Sequence, residues 1–232
     1  AGGDGAQTAA MLIAAAAINE GFDGTHIPSY GPESRGGTSY ADVHVAKDEV
    51  LNPASPTPDV LIAFNAPSLA KFGLTVKRGG YILYDNSVAR EVKPGDPSIT
   101  VVGVPFTEIA AGLGKLVVKN IVALGALQAA TGIFPAETLL AAIRQALAHK
   151  PALIPLNEQA FAAGIRAGAG GALRRGWAGR GWVLLRGGGA GGAAPPAART
   201  GHGRAGRRSR RGPPAGSFFR CRRYTPTEQG HG

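Results

Sequence analysis

The chain has 232 residues, with 36 Gly, 17 Pro, one Cys and a formal net charge of +10, a length that suits one large domain or two small ones. The charge is unevenly shared: residues 1–166 carry 12 Lys and Arg against 14 Asp and Glu, a balance of −2, whereas residues 167–232 carry 13 Arg, no Lys and one acid, Glu228, a balance of +12. The single cysteine, Cys221, excludes an intramolecular disulfide framework and any zinc or iron–sulfur site built on this chain's cysteines alone, and the acidic body lacks the electrostatic footprint of a nucleic-acid binder.

In chain order, Ala1-Gly2-Gly3-Asp4-Gly5 opens onto an alanine-rich stretch, Gln7–Glu20, closed by Gly21. That pattern predicts a helix with a glycine beyond its C-terminus. A glycine turn that opens a helix in a βαβ unit follows a strand, so at least one strand is expected to be missing before Ala1. Thr25–Tyr30 and Thr38–Ala46 are predicted strands, separated by a loop rich in glycine. Asp59–Phe64 is a short continuous apolar run suited to a central parallel strand. Ser68–Phe72 predicts a short helix, and Gly80–Asp85 and Ile99–Val104 two further strands. Helices are predicted over Thr107–Leu113, Val117–Thr131, Pro135–His149 and Asn157–Ile165. This alternation argues for an open α/β sheet with helices packed on it.

Val117–Thr131 is apolar nearly all round, as a buried helix is. It reads as a core helix of this domain, ahead of a helix shared with a partner subunit. The longest apolar runs, Ala9–Ile18 and Ile121–Ala130 (the latter interrupted by Gln128), span ten residues each, against roughly 20 for a membrane span. No basic segment precedes the first run, so it does not read as a secretory signal. A cytoplasmic protein with no membrane association is expected.

The domain boundary is set at residue 166. Residues 167–232 contain 18 Gly and 13 Arg among 66 residues and offer little to bury against the ordering entropy. An Arg/Gly-rich RNA-binding tail is one reading. Disorder, or GC-rich DNA translated in a shifted frame, is the other. The abrupt change from mixed Lys and Arg to Arg alone favours the second, and a nucleic-acid partner is not expected.

Two stretches are candidate sites. Gly2-Gly3-Asp4-Gly5 stands where a helix N-terminus holds a phosphate. Asp4 would compete with such an anion, and a tight turn explains the glycines as well. Tyr30-Gly31-Pro32-Glu33-Ser34-Arg35-Gly36-Gly37 combines an aromatic, a carboxylate, a guanidinium and three glycines. It reads either as a docking loop or as a surface turn with a Glu33–Arg35 pair of small value. The five histidines are scattered, with His149 placed near a helix C-terminus. No nucleophile elbow, P-loop or paired-carboxylate pattern is present, so no catalytic residue and no metal ligand is assigned.

The order of these motifs resembles the gamma subunit, or gamma domain, of the 2-oxoacid:ferredoxin oxidoreductases, the pyruvate/2-oxoglutarate ferredoxin oxidoreductase family. The residues that carry the resemblance are Gly2–Gly5 with its helix, Ser29–Ser39, Pro58–Asn65 followed by Lys77–Gly80, Pro105–Ala110, Lys119–Ala126 and Asn157–Gly164. The Tyr-Gly-Pro-Glu wording resembles the separate-subunit, 2-oxoglutarate-type branch. Asp4 departs from the family's Gln, and residues 167–232 resemble nothing in it.

The resemblance implies an open, mostly parallel, Rossmann-like sheet in a hetero-oligomer. It implies that thiamine diphosphate, Mg²⁺ and iron–sulfur clusters belong to alpha and beta partner subunits, with ferredoxin as electron acceptor and coenzyme A as co-substrate. This chain then binds no cofactor alone and helps enclose the active site. Tyr30, Gly31, Pro32, Glu33, Arg35, Gly36 and Gly37 become a coenzyme A or subunit-interface loop, and Lys119 and Asn120 interface residues. Two alternatives stand beside it: the small subunit of an indolepyruvate-type enzyme, and a non-enzymatic α/β binding module with an RNA-binding tail.

Overall fold

The computed structural model describes residues 5–29, 38–47, 57–89, 94–171 and, as backbone, 181–188. The alanine-rich stretch forms α1 (Ala6–Asn19), which starts at Gly5 in the left-handed conformation and presents Leu12, Ile13 and its alanines to the interior. Small side chains let this helix lie close to the sheet: the position of a Cβ on Gly24 is already 3.1 Å from Ala17 Cβ. Beyond α1 come β1 (Asp23–Pro28) and β2 (Thr38–Ala46), paired antiparallel with Asp23 opposite Ala46.

The apolar runs then form β3 (Val60–Ala63), β4 (Tyr81–Asp85) and β5 (Thr100–Val104), all parallel. Helix α2 (Ala66–Phe72) follows β3, and α3 (Phe106–Gly112) follows β5. After them α4 (Lys119–Thr131), α5 (Ala136–Ala146) and α6 (Ile154–Gly168) complete the helices. A last strand, β6 (Gly181–Gly188), lies antiparallel to β2 and parallel to β3. The sheet order is β1-β2-β6-β3-β4-β5, so three of five pairings are parallel and the expected open, mostly parallel α/β sheet is found.

The strand period of two sorts side chains between two cores. Val60 and Ile62 of β3, Leu83 of β4 and Val102 of β5 face the layer of α1, α4, α5 and α6. Leu61, Ala63, Ile82 and Tyr84 face α2, with Leu69, Phe72, Val76 and Ile99. Helix α4 crosses α6 with backbone almost touching backbone. A Cβ on Gly125 would stand 2.1 Å from the Phe161 carbonyl oxygen, and one on Gly164 would stand 2.0 Å from that of Val122.

Several expectations shift. Helix α4 is a core helix, buried at Ile121, Val122, Leu124 and Leu127, but its first turn does not include Val117. That residue sits with Leu116 in a short 3-10 turn, and both are exposed. Helix α5 stops at Ala146, so His149 lies in the turn beyond it.

The boundary set at residue 166 falls inside α6. The segment read as disordered also contains β6, whose Val183–Leu185 backbone pairs with β2 along one edge and with β3 along the other. Backbone pairing to two strands supplies what composition alone did not reveal. The chain divides into two units, Ala1–Gly191 and Gly192–Gly232, and every described residue belongs to the first. The rest of the tail, like the glycines and Asp4 at residues 1–4, lies outside the described residues.

Candidate functional site

Parallel strands of an open α/β sheet present their carboxyl ends to one edge, where ligands and partners dock. Here that edge is assembled from the starts of α1, α3 and α4 and the base of the β1–β2 connection. Gly5 opens α1 with φ 72°, and a Cβ there would lie 2.7 Å from Asn120 Nδ2. Asn120, 5% exposed, reaches from the first turn of α4: its Nδ2 donates to the Gly5 carbonyl over 3.4 Å. Its Oδ1 accepts from the backbone N–H of Ile121 at 2.9 Å. The Gly5 carbonyl also accepts the first helical bond of α1, from Ala9 at 3.0 Å.

Gln7, in the first turn of α1, ties that helix to the hairpin. Its Nε2 donates to the Tyr40 carbonyl at 2.7 Å, and its Oε1 lies 3.1 Å from His26 Nε2. An amide oxygen only accepts, so this contact selects the His26 tautomer that carries its proton on Nε2. Burial holds the His26 pKa below its ordinary 6.5, because the charged ring would lose solvation. The Tyr40 carbonyl accepts a second bond, from Ser29 N–H at 2.9 Å. Ser29 and Tyr40 thus brace the two ends of the hairpin from which the Tyr30–Gly37 connection departs.

Asp85 closes the other side of the edge. This carboxylate ends β4 and is fully buried. Its Oδ2 accepts from Thr107 N–H at 3.1 Å and Thr107 Oγ at 2.5 Å, and its Oδ1 from Ser87 N–H at 3.1 Å. Thr107 lies in the first turn of α3, so the carboxylate satisfies donors that this helix start leaves unpaired.

Of the residues singled out from sequence, Gly5 and Asn120 are brought into contact, with Lys119 half-buried beside Asn120 at the start of α4. Gly2, Gly3 and Asp4, and Tyr30, Gly31, Pro32, Glu33, Arg35, Gly36 and Gly37, lie outside the described residues. Gln7, His26 and Asp85 were not anticipated. For Gln7 a signal existed, since it and Thr8 are the polar side chains in the first turn of an otherwise alanine-rich helix. Among the described residues no group of three or more His, Cys, Asp and Glu side chains is placed to hold a metal ion. No helix among them is long and apolar enough to cross a membrane.

Together these features define an open α/β domain with a glycine-opened helix at its carboxyl edge and the antiparallel β1–β2 pair beside it. Residues 1–167 match the family described as pyruvate ferredoxin/flavodoxin oxidoreductase, and the chain belongs to that family. It is 39% identical over 165 residues to the ketoisovalerate oxidoreductase subunit VorA of Methanothermobacter marburgensis, covering 70% of this chain and 34% of that protein. It is 34% identical over 144 residues to the 2-oxoglutarate synthase subunit KorC of Methanocaldococcus jannaschii, covering 61% of this chain and 77% of that one. The solved gamma subunit of a keto/oxoacid ferredoxin oxidoreductase from Geobacter sulfurreducens superimposes with a TM-score of 0.62 at 31% identity. It covers 73% of this chain and 95% of that subunit. The chain spans about a third of the length of the ketoisovalerate relatives it matches.

Proposed function

We propose that this chain serves as the gamma-type part of a 2-oxoacid:ferredoxin oxidoreductase, the enzyme class that decarboxylates a 2-oxoacid oxidatively to an acyl-CoA, CO₂ and reduced ferredoxin. The observation that carries this reading is the carboxyl edge. Asn120 clamps the start of α1 and Gln7 links that helix to the base of the Tyr30–Gly37 connection, within the family match over residues 1–167.

In this reading the domain binds and encloses rather than reacts. Tyr30, Glu33 and Arg35, on a connection with three glycines, supply a docking surface toward the partner subunits or coenzyme A. Gln7, half-buried, ties the base of that connection to α1, and the buried Asn120 fixes where α1 begins, which lowers the entropy lost on docking. Thiamine diphosphate, when bound by alpha and beta subunits with Mg²⁺, supplies the electron sink for decarboxylation, and iron–sulfur clusters there pass electrons to ferredoxin. The relatives named above differ in their 2-oxoacid, so substrate choice is assigned to the partner subunits rather than to this chain.

The test is co-expression with candidate alpha and beta subunits. A complex that oxidises a 2-oxoacid only with coenzyme A and this chain present supports the reading. Turnover by the chain alone, or by alpha and beta without it at the same rate, would end it.

A further inference from the structure

The sheet ends on β5, beyond which no strand lies among the described residues. The inner side of β5 is paired: Thr100 N–H donates to the Gly80 carbonyl at 2.9 Å, and the Val104 carbonyl accepts from Asn86 N–H at 3.2 Å. With Thr100 opposite Tyr81 and Val104 opposite Asp85, Thr100, Val102 and Val104 turn their backbone groups toward β4. Strand alternation then turns those of Val101 and Gly103 outward, and no turn or loop bond among the described residues reaches them. Gly103 is exposed, and Thr100 and Val101 are half-buried. Native proteins blunt such an edge with charge, proline or a bulge. The opposite edge follows that rule, since β1 begins with Asp23 and ends with Pro28. The sequence Thr-Val-Val-Gly-Val of β5 does not, and no charged residue lies between Asp96 and Glu108.

We propose that β5 is the seam of a homodimer, in which two copies of this chain pair their β5 strands antiparallel about a two-fold axis at Val102 and share one continuous sheet. This goes beyond the reaction assigned above and does not rest on it. The register closes on itself. Val101 of one copy stands opposite Gly103 of the other, and each such pair exchanges both its N–H···O bonds, with Val102 opposite Val102 as the closer pair between them. The ladder stops at the same step on both sides. One pair further out, Ile99 would meet Pro105 of the second copy. The Ile99 N–H is already given to the Asp96 carbonyl at 3.1 Å, and proline has no N–H to offer. The donors that β5 presents are therefore matched by the acceptors of a second β5. Side chains agree with this pairing. The Tyr84 ring lies over Gly103, where a Cβ would stand 2.9 Å from its hydroxyl oxygen, so Val101 of the second copy comes beside an aromatic ring. No like charges are brought together, and the contact is isologous, as in closed dimers.

Two measurements on the full chain test this. The first is sedimentation of the unsubstituted protein between about 1 µM and about 1 mM, with amide hydrogen exchange at the same concentrations. Val101 and Gly103 should exchange at least about ten-fold more slowly in the dimer than in the monomer. A chain monomeric throughout, a dimer in which these two amides stay fast, or slow exchange already in the monomer would each overturn the proposal. So would protection that arises only when alpha and beta subunits are added, which would give this edge to a partner strand. The second measurement is disulfide formation in a Cys221→Ser background. Val102→Cys should link two chains, because the two Cα atoms face each other across the axis at about 4.5 Å, a separation that a disulfide spans. Thr100→Cys alone should not link, since its counterpart is displaced by four residues, about 14 Å, whereas Thr100→Cys/Val104→Cys should. A link through Thr100→Cys alone, or no link in both Val102→Cys and the double variant, would overturn the register and with it the two-fold seam.

Discussion

Asn120 holds the carbonyl of Gly5, a residue 115 positions earlier, with its Nδ2 3.4 Å from that oxygen. The same side chain stands where a Cβ on Gly5 would have to go. The two residues are therefore coupled by a hydrogen bond and by exclusion, and their coupling fixes where α1 begins relative to α4.

Gly5→Ala should destabilise the domain by about 2 kcal/mol, from the left-handed backbone and the crowding against Asn120. Asn120→Ala should cost about 1–2 kcal/mol through the lost bond to Gly5. In the double variant the contacts with Asn120 Nδ2 and Cγ are gone while the one with Cβ, 2.9 Å away, stays, so the crowding is relieved in part and the combined loss should be less than additive. Denaturant unfolding of the four proteins measures this; strict additivity would separate the two residues energetically.

Gly164→Ala places a methyl 2.0 Å from the Val122 carbonyl, and Gly125→Ala one 2.1 Å from that of Phe161. The atoms in the way are backbone, so α4 and α6 must move apart. Each substitution should cost about 2–3 kcal/mol. Gly112→Ala, at the end of α3 with nothing within 4 Å, should be neutral or slightly stabilising. Thermal melts of the three variants distinguish crowding from a general effect of replacing glycine.

Asp85→Ala removes the acceptor for Thr107 N–H, Thr107 Oγ and Ser87 N–H. Buried donors left unsatisfied cost about 1–3 kcal/mol, and the start of α3 should fray. Thr107→Val should cost less, because the backbone N–H still reaches the carboxylate. Hydrogen exchange of the first turn of α3 gives the local readout.

His26 gives a pH dependence with a defined sign. Burial lowers its folded-state pKa below 6.5, so between the folded value and 6.5 the unfolded chain binds more protons than the folded one. Stability therefore rises with pH across that window and is lost as pH falls through it. The melting temperature of the natural sequence should drop on going from about pH 7 to about pH 5. His26→Asn should flatten that drop while lowering stability near neutrality through the lost contact with Gln7. An unchanged acid slope would assign the pH dependence to other groups.

If Arg35 serves docking, as proposed, Arg35→Ala should change the stability of the chain itself by no more than about 0.5 kcal/mol. In the complex with alpha and beta subunits it should weaken function by about 2 kcal/mol, as a contact hot spot does. A raised Michaelis constant for coenzyme A marks ligand contact; weaker co-purification marks docking. If both stay unchanged, the Tyr30–Gly37 stretch is a surface turn.

The sequence by itself determined the local elements and the family. Val60–Ala63, Tyr81–Asp85 and Thr100–Val104 are apolar runs bounded by turn residues, and the alanine stretch closed by glycine is a helix from composition alone. Such signals are local, because hydrogen bonds within a helix and the alternation of a strand act over a few neighbouring residues. The glycine loop and Asn120 were legible as motifs of a resemblance, though not as partners. Tertiary structure decided the rest. It turned β1 and β2 antiparallel, sent α4 and α6 across each other at Gly125 and Gly164, and brought Gln7, His26 and Tyr40 together. It also placed Gly181–Gly188 at the centre of the sheet. A strand's neighbours come from anywhere in the chain, and their choice rests on pairing and burial summed over the whole domain. Composition marked those eight residues as part of a tail; only the open edges of β2 and β3 made them a strand.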